Sequence, residues 1–383
     1  MKKNIYDYIL IGGGCASLSL AIKIKKKKIL NPSFLILEKR KNYVDDRSWC
    51  FWSSDKTHLH DLIEKSWSKW SFSYSNNFYS HYSKRFKYNY LRSITFYKKA
   101  LNTINSVNNI NLNLNERVLD IKKEKSYYKV ISNKKVYKAH NILDTRPNIN
   151  CFQKSPFLYQ SFLGYEIHLK SNVNGFINGP HLMKNMRVKS NMFLFDYILP
   201  LKKNLILIET TIFSVNKCSK VYIENLLNKA ILNMGITKYE KKREEFGIIP
   251  MGFIKENLNR DNDNYVYAGI SGGAARASSG YTFLNIQTWA EDCSNNIKKK
   301  GQLIKNKKIN RLELFLDKVF IKLIIEYMHI SPQIFYSFLK RIHADNFVSF
   351  MLGNCKLFEY LKIILAMPKR FILFWILGLN KKC

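Results

Sequence analysis

Near its start the chain reads YDYILIGGGCAS, Tyr6 to Ser17, an apolar segment running straight into three glycines. Tyr8, Ile9, Leu10 and Ile11 predict a central parallel strand. Leu18 to Ile24 predict a helix that opens on the small residues Ala16 and Ser17. Strand, glycine turn and helix N-terminus in that order make an anion site. Without Cβ atoms at Gly12 and Gly14 the backbone can approach a pyrophosphate, and the N–H groups and dipole of the helix starting at Ala16 favour its charge. The Gly-x-Gly-x-x-Gly pattern is complete except at its last position, Ser17, which serves close helix–strand packing and tolerates a small side chain. A second apolar run, Phe34 to Leu37, ends on Glu38 roughly 20 residues past the turn, where an acid accepts the ribose hydroxyls of an adenine dinucleotide. A strand–loop–helix without a ligand is the plainer reading, and it leaves Glu38 unexplained.

The elements that must carry this site are spread along the chain. Its 383 residues have room for roughly two or three domains. Residues 1–45 read as strand, helix and strand, and residues 50–100 as an irregular, aromatic, serine-rich insertion. Short strands follow at Val118 to Ile121, Tyr127 to Ile131, Val136 to Ala139 and His140 to Leu143. The last stops at Asp144, where a parallel sheet presents groups to a ligand. Alternating stretches, Phe193 to Leu201 and Asn204 to Phe213, predict an antiparallel sheet. Tyr265 to Gly269 then form a strand leading into Gly272 and Gly273, with a helix from Tyr281 to Lys298. The expected fold is α/β (α+β). A Rossmann-type FAD-binding domain comprises 1–48, 100–150 and 245–305, an inserted antiparallel-sheet substrate domain comprises 49–99 and 151–244, and a helical, membrane-facing region comprises 306–383.

The formal charge of +35 points to nucleic acid or an anionic membrane surface. It is carried almost wholly by lysine in a chain also rich in Asn, Ile, Tyr and Phe, the pattern of an AT-rich coding sequence. No arginine cluster or aromatic RNA-binding motif accompanies it, which argues against nucleic acid. Seven scattered cysteines without C-x-x-C pairing fit a reducing cytoplasm, the histidines form no metal set, and the early first strand leaves no room for a signal peptide. Leu312, Phe315, Leu316, Val319, Phe320, Leu323 and Ile324 recur at helical spacing. Pro368 to Leu377 hold about ten apolar residues, too few to cross a bilayer. Flanking lysines and aromatics suit a helix lying in an anionic lipid interface; an ordinary buried helix is the other reading.

Several blocks together resemble one family. Asp46-Arg47-Ser48-Trp49-Cys50-Phe51-Trp52 is similar to the D-R-[ST]-W-C-F-W signature of bacterial lycopene beta-cyclases, flavin-dependent enzymes that close the end rings of carotenoids. Leu143 to Pro147, Gln160 to Glu166, Leu207 to Thr211 and Glu245 to Met251 agree in the same order, and Gly269 to Phe283 resembles the family's flavin-proximal loop. The similarity spans nearly the whole chain, and six blocks in register are specific where any one is weak.

The resemblance implies cyclisation of the psi end groups of lycopene to beta-rings with reduced FAD, NAD(P)H serving only as reductant, at the cytoplasmic face of the inner membrane with a lipid-soluble carotenoid as substrate. The acid must be a carboxyl kept protonated in apolar surroundings. Glu209, interrupting the run Leu205 to Ile208, sits at the family's catalytic glutamate; a solvent-facing strand residue is the alternative. Glu166 is the second carboxylate of the site or a surface charge, and Asp196 a third. The family's upstream M-D-x acid corresponds here to Met183-Lys184-Asn185. Gly12, Gly14, Ala16, Glu38, Asp144, Gly269, Gly272 and Gly273 are implied to hold the cofactor. Arg47 meets its phosphate or ribityl side, or else pairs with Asp45 or Asp46. Trp49, Phe51 and Trp52 line the polyene and face its cation, or simply pack, and Tyr281 is a further substrate-binding residue. Ile270 stands where many flavoprotein hydroxylases have an aspartate. A redox flavoprotein such as a polyprenyl reductase or hydroxylase, and a non-catalytic flavin- or lipid-binding remnant, are the competing functions.

Overall fold

The computed structural model describes residues 5–54, 57, 59–170, 179–255, 264–307 and 310–368. The chain divides into two compact units and crosses between them repeatedly. One holds Met1–Asp45, Ser93–Ser155 and Gly252–Lys308; the other holds Asp46–Arg92, Pro156–Met251 and Ile309–Cys383. The sequence-based cuts at 48/49, 99/100, 150/151 and 244/245 thus fall a few residues from the observed ones. The C-terminal helices belong with the second unit and do not form a third region.

In chain order, β1 (Tyr6–Ile11), α1 (Cys15–Lys26) and β2 (Phe34–Leu37) begin the first unit. β3 (Ser48–Ser53), β4 (Lys65–Trp67), β5 (Lys69–Tyr74), β6 (Asn77–Tyr82) and β7 (Lys87–Arg92) enter the second. The first resumes with α2 (Ser93–Asn105), β8 (Ile110–Asn113), β9 (Val118–Lys123), β10 (Tyr128–Ser132) and β11 (Val136–Asp144). The second continues with β12 (Leu158–Leu169), β13 (His181–Lys189), β14 (Met192–Lys202), β15 (Leu205–Ser214), α3 (Lys220–Asn233) and β16 (Tyr239–Met251). β17 (Tyr265–Tyr267) and α4 (Phe283–Lys300) complete the first unit, and α5 (Arg311–Glu326), α6 (Ser331–Arg341), α7 (Ala344–Met351) and α8 (Leu357–Ala366) the second.

The first unit is a seven-stranded sheet in the order β8-β2-β1-β11-β10-β9, with β17 also on β11. β1 runs parallel to β2 and β11, which explains why both its faces are apolar. Ile9, Ile11, Leu35 and Leu37 pack with Val118, Ile121, Tyr128, Val130 and Tyr265 in one core. α1 and α4 are tied to each other by Gln287 Nε2 donating to Ser19 Oγ at 2.8 Å and by Glu291, which pairs with Lys23 at 2.8 Å and with Lys27. The sequence divides β11 into two strands at His140-Asn141. The structure makes it one, because the Asn141 side chain donates to the Asp7 carbonyl of β1 at 3.0 Å and the polar pair does not interrupt pairing.

The second unit has a seven-stranded sheet, β16-β12-β15-β14-β13-β5-β6, and a three-stranded one, β3-β7-β4. Leu163, Tyr165, Ile167, Ile206, Ile208 and Ile212 cover one face of the large sheet and pack against Ile223, Leu227 and Ile231 of α3. Residues 50–100, expected to be irregular, contain five strands. They lack clean alternation because polar side chains pair within the sheet, as Ser66 does with Asn89 at 2.7 Å. In α5 the expected apolar stripe is only half realised. Leu323 and Ile324 are buried, but Phe315 is 45% exposed, and Glu313 and Asp317 take the inner side of the first turns. Glu313 is matched there by the Tyr360 hydroxyl of α8 at 2.5 Å. The C-terminal apolar segment from Lys369 onward lies outside the described residues.

His81 on β6 shows how tightly α6 is bound to this sheet. Its Nε2 donates to the Leu339 carbonyl at 2.8 Å, its Nδ1 has no partner, and the ring is packed among Trp70, Phe72 and Phe347. Burial, helped by neighbouring His343, pulls its pKa down from 6.5 to about 4 against the Leu339 bond. The unfolded chain therefore binds this proton at higher pH than the native one, and stability falls as pH drops from 6.5 toward 4. Denaturant titrations at both ends of that window are expected to show His81→Gln losing about 1–3 kcal/mol less than wild type.

Candidate functional site

Two groups of predicted residues are assembled, one in each unit. In the first, β1 delivers Gly12 in a left-handed conformation, φ +91°, and its N–H is bound by the Leu37 carbonyl of β2 at 2.8 Å. A Cβ at Gly12 would meet Thr145 Oγ1 at 2.8 Å, and one at Gly13 the Tyr43 hydroxyl at 2.4 Å, while nothing lies within 4 Å of where a Gly14 Cβ would stand. Gly14 is the N-cap of α1, no side chain caps it, and the first turn holds no acid. An uncapped N-terminus facing open space is the arrangement an anion needs. Ser17, at the place of the third glycine, is fully buried and lies 3.3 Å from Thr145 Oγ1, so it fills the packing role with a hydroxyl contact in addition.

Glu38 closes this site. It is 4% exposed, and its two carboxylate oxygens accept from Gly13 N at 2.6 Å and Arg40 N at 2.9 Å. Each oxygen keeps a lone pair for a ribose hydroxyl. The glycine turn, helix terminus and fixed acid together fit the adenine dinucleotide end of FAD. Ala16 and Gly269 approach each other: a Cβ on Gly269 would lie 3.5 Å from that of Ala16. Gly272 sits so close to Tyr267 that a Cβ there would be 2.4 Å from its carbonyl oxygen, and Gly273 follows at φ +83°. Tyr281 lies in the turn before α4, its carbonyl bound by Arg276 N at 2.9 Å.

Asp144 is in register with Ile11 beside the glycine turn, but its carboxylate is engaged within the protein. Arg146 holds it through Nη2 at 2.6 Å, Nε at 3.0 Å and its own N–H at 3.1 Å, and the Tyr265 hydroxyl donates at 2.8 Å. A cavity of about 450 Å³ at this end of the sheet is lined by Asp144, Arg146, Pro147, Asn148, Tyr265 and Tyr267. Arg47 belongs to the second unit, where it is half-exposed and pairs with Asp46 at 2.8 Å. The pair with Asp46 is the one the ion-pair reading of Arg47 names.

In the second unit, register places Tyr197, Glu209, Gly164 and Glu245 side by side across β14, β15, β12 and β16. Cross-strand partners share a face, and this is the face away from α3. Glu209 retains some accessible surface, yet protein atoms crowd its carboxyl. Its described polar partner is Thr211 Oγ1, which donates at 2.6 Å. Burial first, then the neighbouring Glu245 carboxylate, push its pKa up to about 8, with the Thr211 bond and Arg243 opposing.

Glu166 does not face solvent. It is 4% exposed and bound by Arg243 Nε at 3.1 Å. The same guanidinium reaches Glu245 at 2.9 Å and donates to the Tyr90 hydroxyl at 3.1 Å. Ser48 of β3 donates to both Glu245 oxygens, at 2.9 and 2.7 Å. Asp196 is one residue out of phase, on the opposite face, where Arg187 holds it at 2.9 and 3.1 Å.

The three aromatics of β3 part company. Alternation puts Trp52 on the side of Ser48 and Cys50, packed against Tyr88, Trp70 and Phe347 with centroids 4.6, 5.8 and 5.6 Å away, and turns Trp49 and buried Phe51 to the other. Ser48 and Cys50, the small residues on the side of Trp52, lie nearer the acids. Cys50 contacts Tyr197 and Tyr88, whose hydroxyls are 2.5 Å apart, and burial pushes its thiol up to about 12. Ser48, Cys50, Tyr88, Tyr90, Tyr197, Arg243 and Glu245 were not singled out from the sequence. Period-two counting from Glu209 and Glu166 along paired strands is the signal that finds the three on the large sheet, Tyr197, Arg243 and Glu245.

Set beside known proteins, residues 7–372 match the model of the lycopene cyclase protein family. The chain belongs to the lycopene cyclase family. No match was found among curated sequences. Solved structures share its fold at low identity. A geranylgeranyl bacteriochlorophyll reductase-like protein from Thermoplasma acidophilum is 12% identical with a TM-score of 0.62, over 96% of this chain and 98% of that one. The p-nitrophenol 4-monooxygenase PnpA from Pseudomonas putida is 12% identical with a TM-score of 0.58, over 99% of each. The halogenase PltM, solved with phloroglucinol and FAD, is 11% identical with a TM-score of 0.55, over 91% of this chain and 82% of that one. This lycopene cyclase family member therefore has the FAD-binding fold of the flavoproteins, with a Rossmann-type sheet. Among the described residues no helix is long and apolar enough to cross a membrane, and no group of three His, Cys, Asp or Glu could hold a metal.

The space in front of Gly14 supplies a direct check on the dinucleotide site. Gly14 has an extended backbone, φ −82° and ψ −170°, that valine adopts readily. Gly14→Val is expected to leave the thermal midpoint within a few degrees and to cut FAD retention, read from flavin absorbance after gel filtration, by about tenfold or more.

Proposed function

We propose that the protein is a lycopene beta-cyclase whose proton donor is Glu209. The observation that carries this reading is the contrast among four carboxyls of one sheet. Glu166, Glu245 and Asp196 each have an arginine partner, whereas Glu209 has a hydroxyl and a neighbouring anion. A carboxyl in that setting keeps its proton at neutral pH and can give it to an alkene. Protonation of the terminal C1=C2 bond of a psi end group creates a cation, the C5=C6 bond attacks it, and loss of a proton from C6 leaves the beta-ring. Atoms are only rearranged, so no redox equivalents are consumed. Bound FAD, reduced and anionic, supplies negative charge that favours a carbocation.

The chain's own residues take distinct parts in this reading. Glu209 donates, and the Thr211 hydroxyl at 2.6 Å fixes its orientation. Glu166 acts at one remove, anchoring Arg243. Gly12, Gly14, Ala16 and Glu38 hold the dinucleotide, and Gly269, Gly272 and Gly273 bring backbone close to the flavin. Trp49, Phe51, Trp52 and Tyr281 are assigned to the polyene, with NAD(P)H as the reductant of the flavin. Membrane association is supported by α8, which turns Leu357, Phe358, Leu361 and Leu365 outward, the first and last 76% and 70% exposed. An amphipathic helix with that face and Lys362 beside it suits an anionic lipid surface at the cytoplasmic side of the inner membrane.

Expression in a lycopene-accumulating bacterium is expected to turn red pigment to yellow-orange beta-carotene. Glu209→Gln should lower cyclisation about 10²–10⁴-fold, the usual range for a lost general acid, while flavin remains bound. The wild-type rate should decline above about pH 8 as Glu209 ionises. Unchanged lycopene with a folded, flavin-loaded protein, or NAD(P)H consumed in step with product, refutes the reading.

A further inference from the structure

One feature of the second unit stands apart from the donor itself. On the face of the sheet that carries Glu209, three carboxyls stand on the neighbouring strands β12, β15 and β16, and a single guanidinium pairs with two of them. Arg243 is paired to Glu166 at 3.1 Å and to Glu245 at 2.9 Å, with all three residues at most 8% exposed. Two acids and one arginine already leave this layer one negative charge in excess. Ionising Glu209 as well would put a second uncompensated charge into the same dry region, which is costly at short range.

The geometry that couples Glu209 to this cluster is equally specific. Glu209 and Glu245 stand on opposite sides of Gly164, each its direct cross-strand partner. A Cβ at position 164 would lie 3.2 Å from Glu209 Cβ and 3.2 Å from Glu245 Cγ. The absence of a side chain on the central strand leaves only space between the two acids. Glu245 cannot swing away, because Ser48 holds both its oxygens and Arg243 one of them.

We propose that Glu245, anchored by Arg243 and Ser48, is a positioning residue that keeps the proton on Glu209 across the gap left by Gly164. This rests on the assignment of Glu209 as proton donor. The groups packed toward Glu209 act in both directions, with Glu245 the carboxylate that opposes its ionisation. On β16 stand Glu245, which opposes ionisation, and Arg243, which favours it; on β15 Thr211 favours it. Tyr197 on β14, Cys50 on β3 and Tyr88 on β7 form a neutral wall, the Cys50 thiol held up at about 12 and the Tyr197 hydroxyl raised by the same burial.

The test is the pH profile of cyclisation by the flavin-loaded protein with lycopene in liposomes. Glu245→Gln is expected to move the high-pH decline downward by about one unit or more, so that activity at pH 8 falls about tenfold relative to pH 6. Glu245→Asp, which keeps the charge, should restore most of the shift. A merely structural role would lower the rate at every pH and leave the decline where it was. Should Glu245→Gln fail to fold, Gly164→Ala decides, since its methyl wedges the two side chains apart and should move the decline the same way. If neither variant moves it, the proposal is overturned. Failure of the underlying assignment looks different: Glu209→Gln would then retain cyclisation and the same profile.

Discussion

The arrangement of the second unit depends on how one sheet tolerates charge in its interior. A carboxylate removed from water is stable only if a cation or several donors replace its hydration, and breaking such a pair is far more costly than never having made it. Arg243 performs that service for Glu166 and Glu245 together, with Tyr90 and Ser48 completing the donor set. With that guanidinium shared between two acids, the third carboxyl, Glu209, has a hydroxyl donor and no ion pair among the described contacts, and its ionisation is disfavoured. Burial does most to raise the pKa of Glu209, and the way the other acids are satisfied adds to it through Glu245.

The first unit solves a different electrostatic problem with backbone instead of side chains. Here the ligand brings the charge, so the protein must present donors without supplying an anion of its own. The uncapped start of α1 and the empty space at Gly14 do this. Glu38, although acidic, is turned toward the Gly13 and Arg40 amides, which fixes it at the edge of the turn. Asp144 is withdrawn by Arg146 and Tyr265 in the same manner. In both units, then, acids are immobilised by named donors, and the one without an ion pair among the described contacts, Glu209, is the one proposed as proton donor.

Much of this was legible in the sequence, and the failures have physical causes. β1, the glycine turn, Glu38, β14, β15 and α4 were visible because buried parallel strands and amphipathic elements write their environment into their composition. Residues 50–100 were not, since short strands that pair polar side chains with one another, such as Ser66 with Asn89, carry no alternation to detect. The stripe expected on α5 misled for a related reason. Glu313 is satisfied by Tyr360 from α8, a contact 47 residues away that local periodicity cannot contain. Arg243 and Glu245 were hidden in a charged run, KKREEF, whose surface-like composition conceals that alternate members point inward.

Strand parity separates Lys184 from Glu209. Lys184, where the resemblance implies an acid, is paired in register with Asp196 on β14. Asp196 and Tyr197 are adjacent and so face opposite ways, and Tyr197 is the partner of Glu209. Lys184, Asp196 and Arg187 therefore form a separate cluster on the other face, where the charges balance differently. Burial lowers the pKa of Lys184 while Asp196 raises it, and Asp196 itself is held by Arg187 and by Thr210 at 3.0 Å. An acid at 184 would have competed with Asp196 for Arg187, leaving the ionisation of Glu209 to the face that Arg243 controls. Lys184 thus falls on a part of the sheet whose charged groups lie on the other face from Glu209.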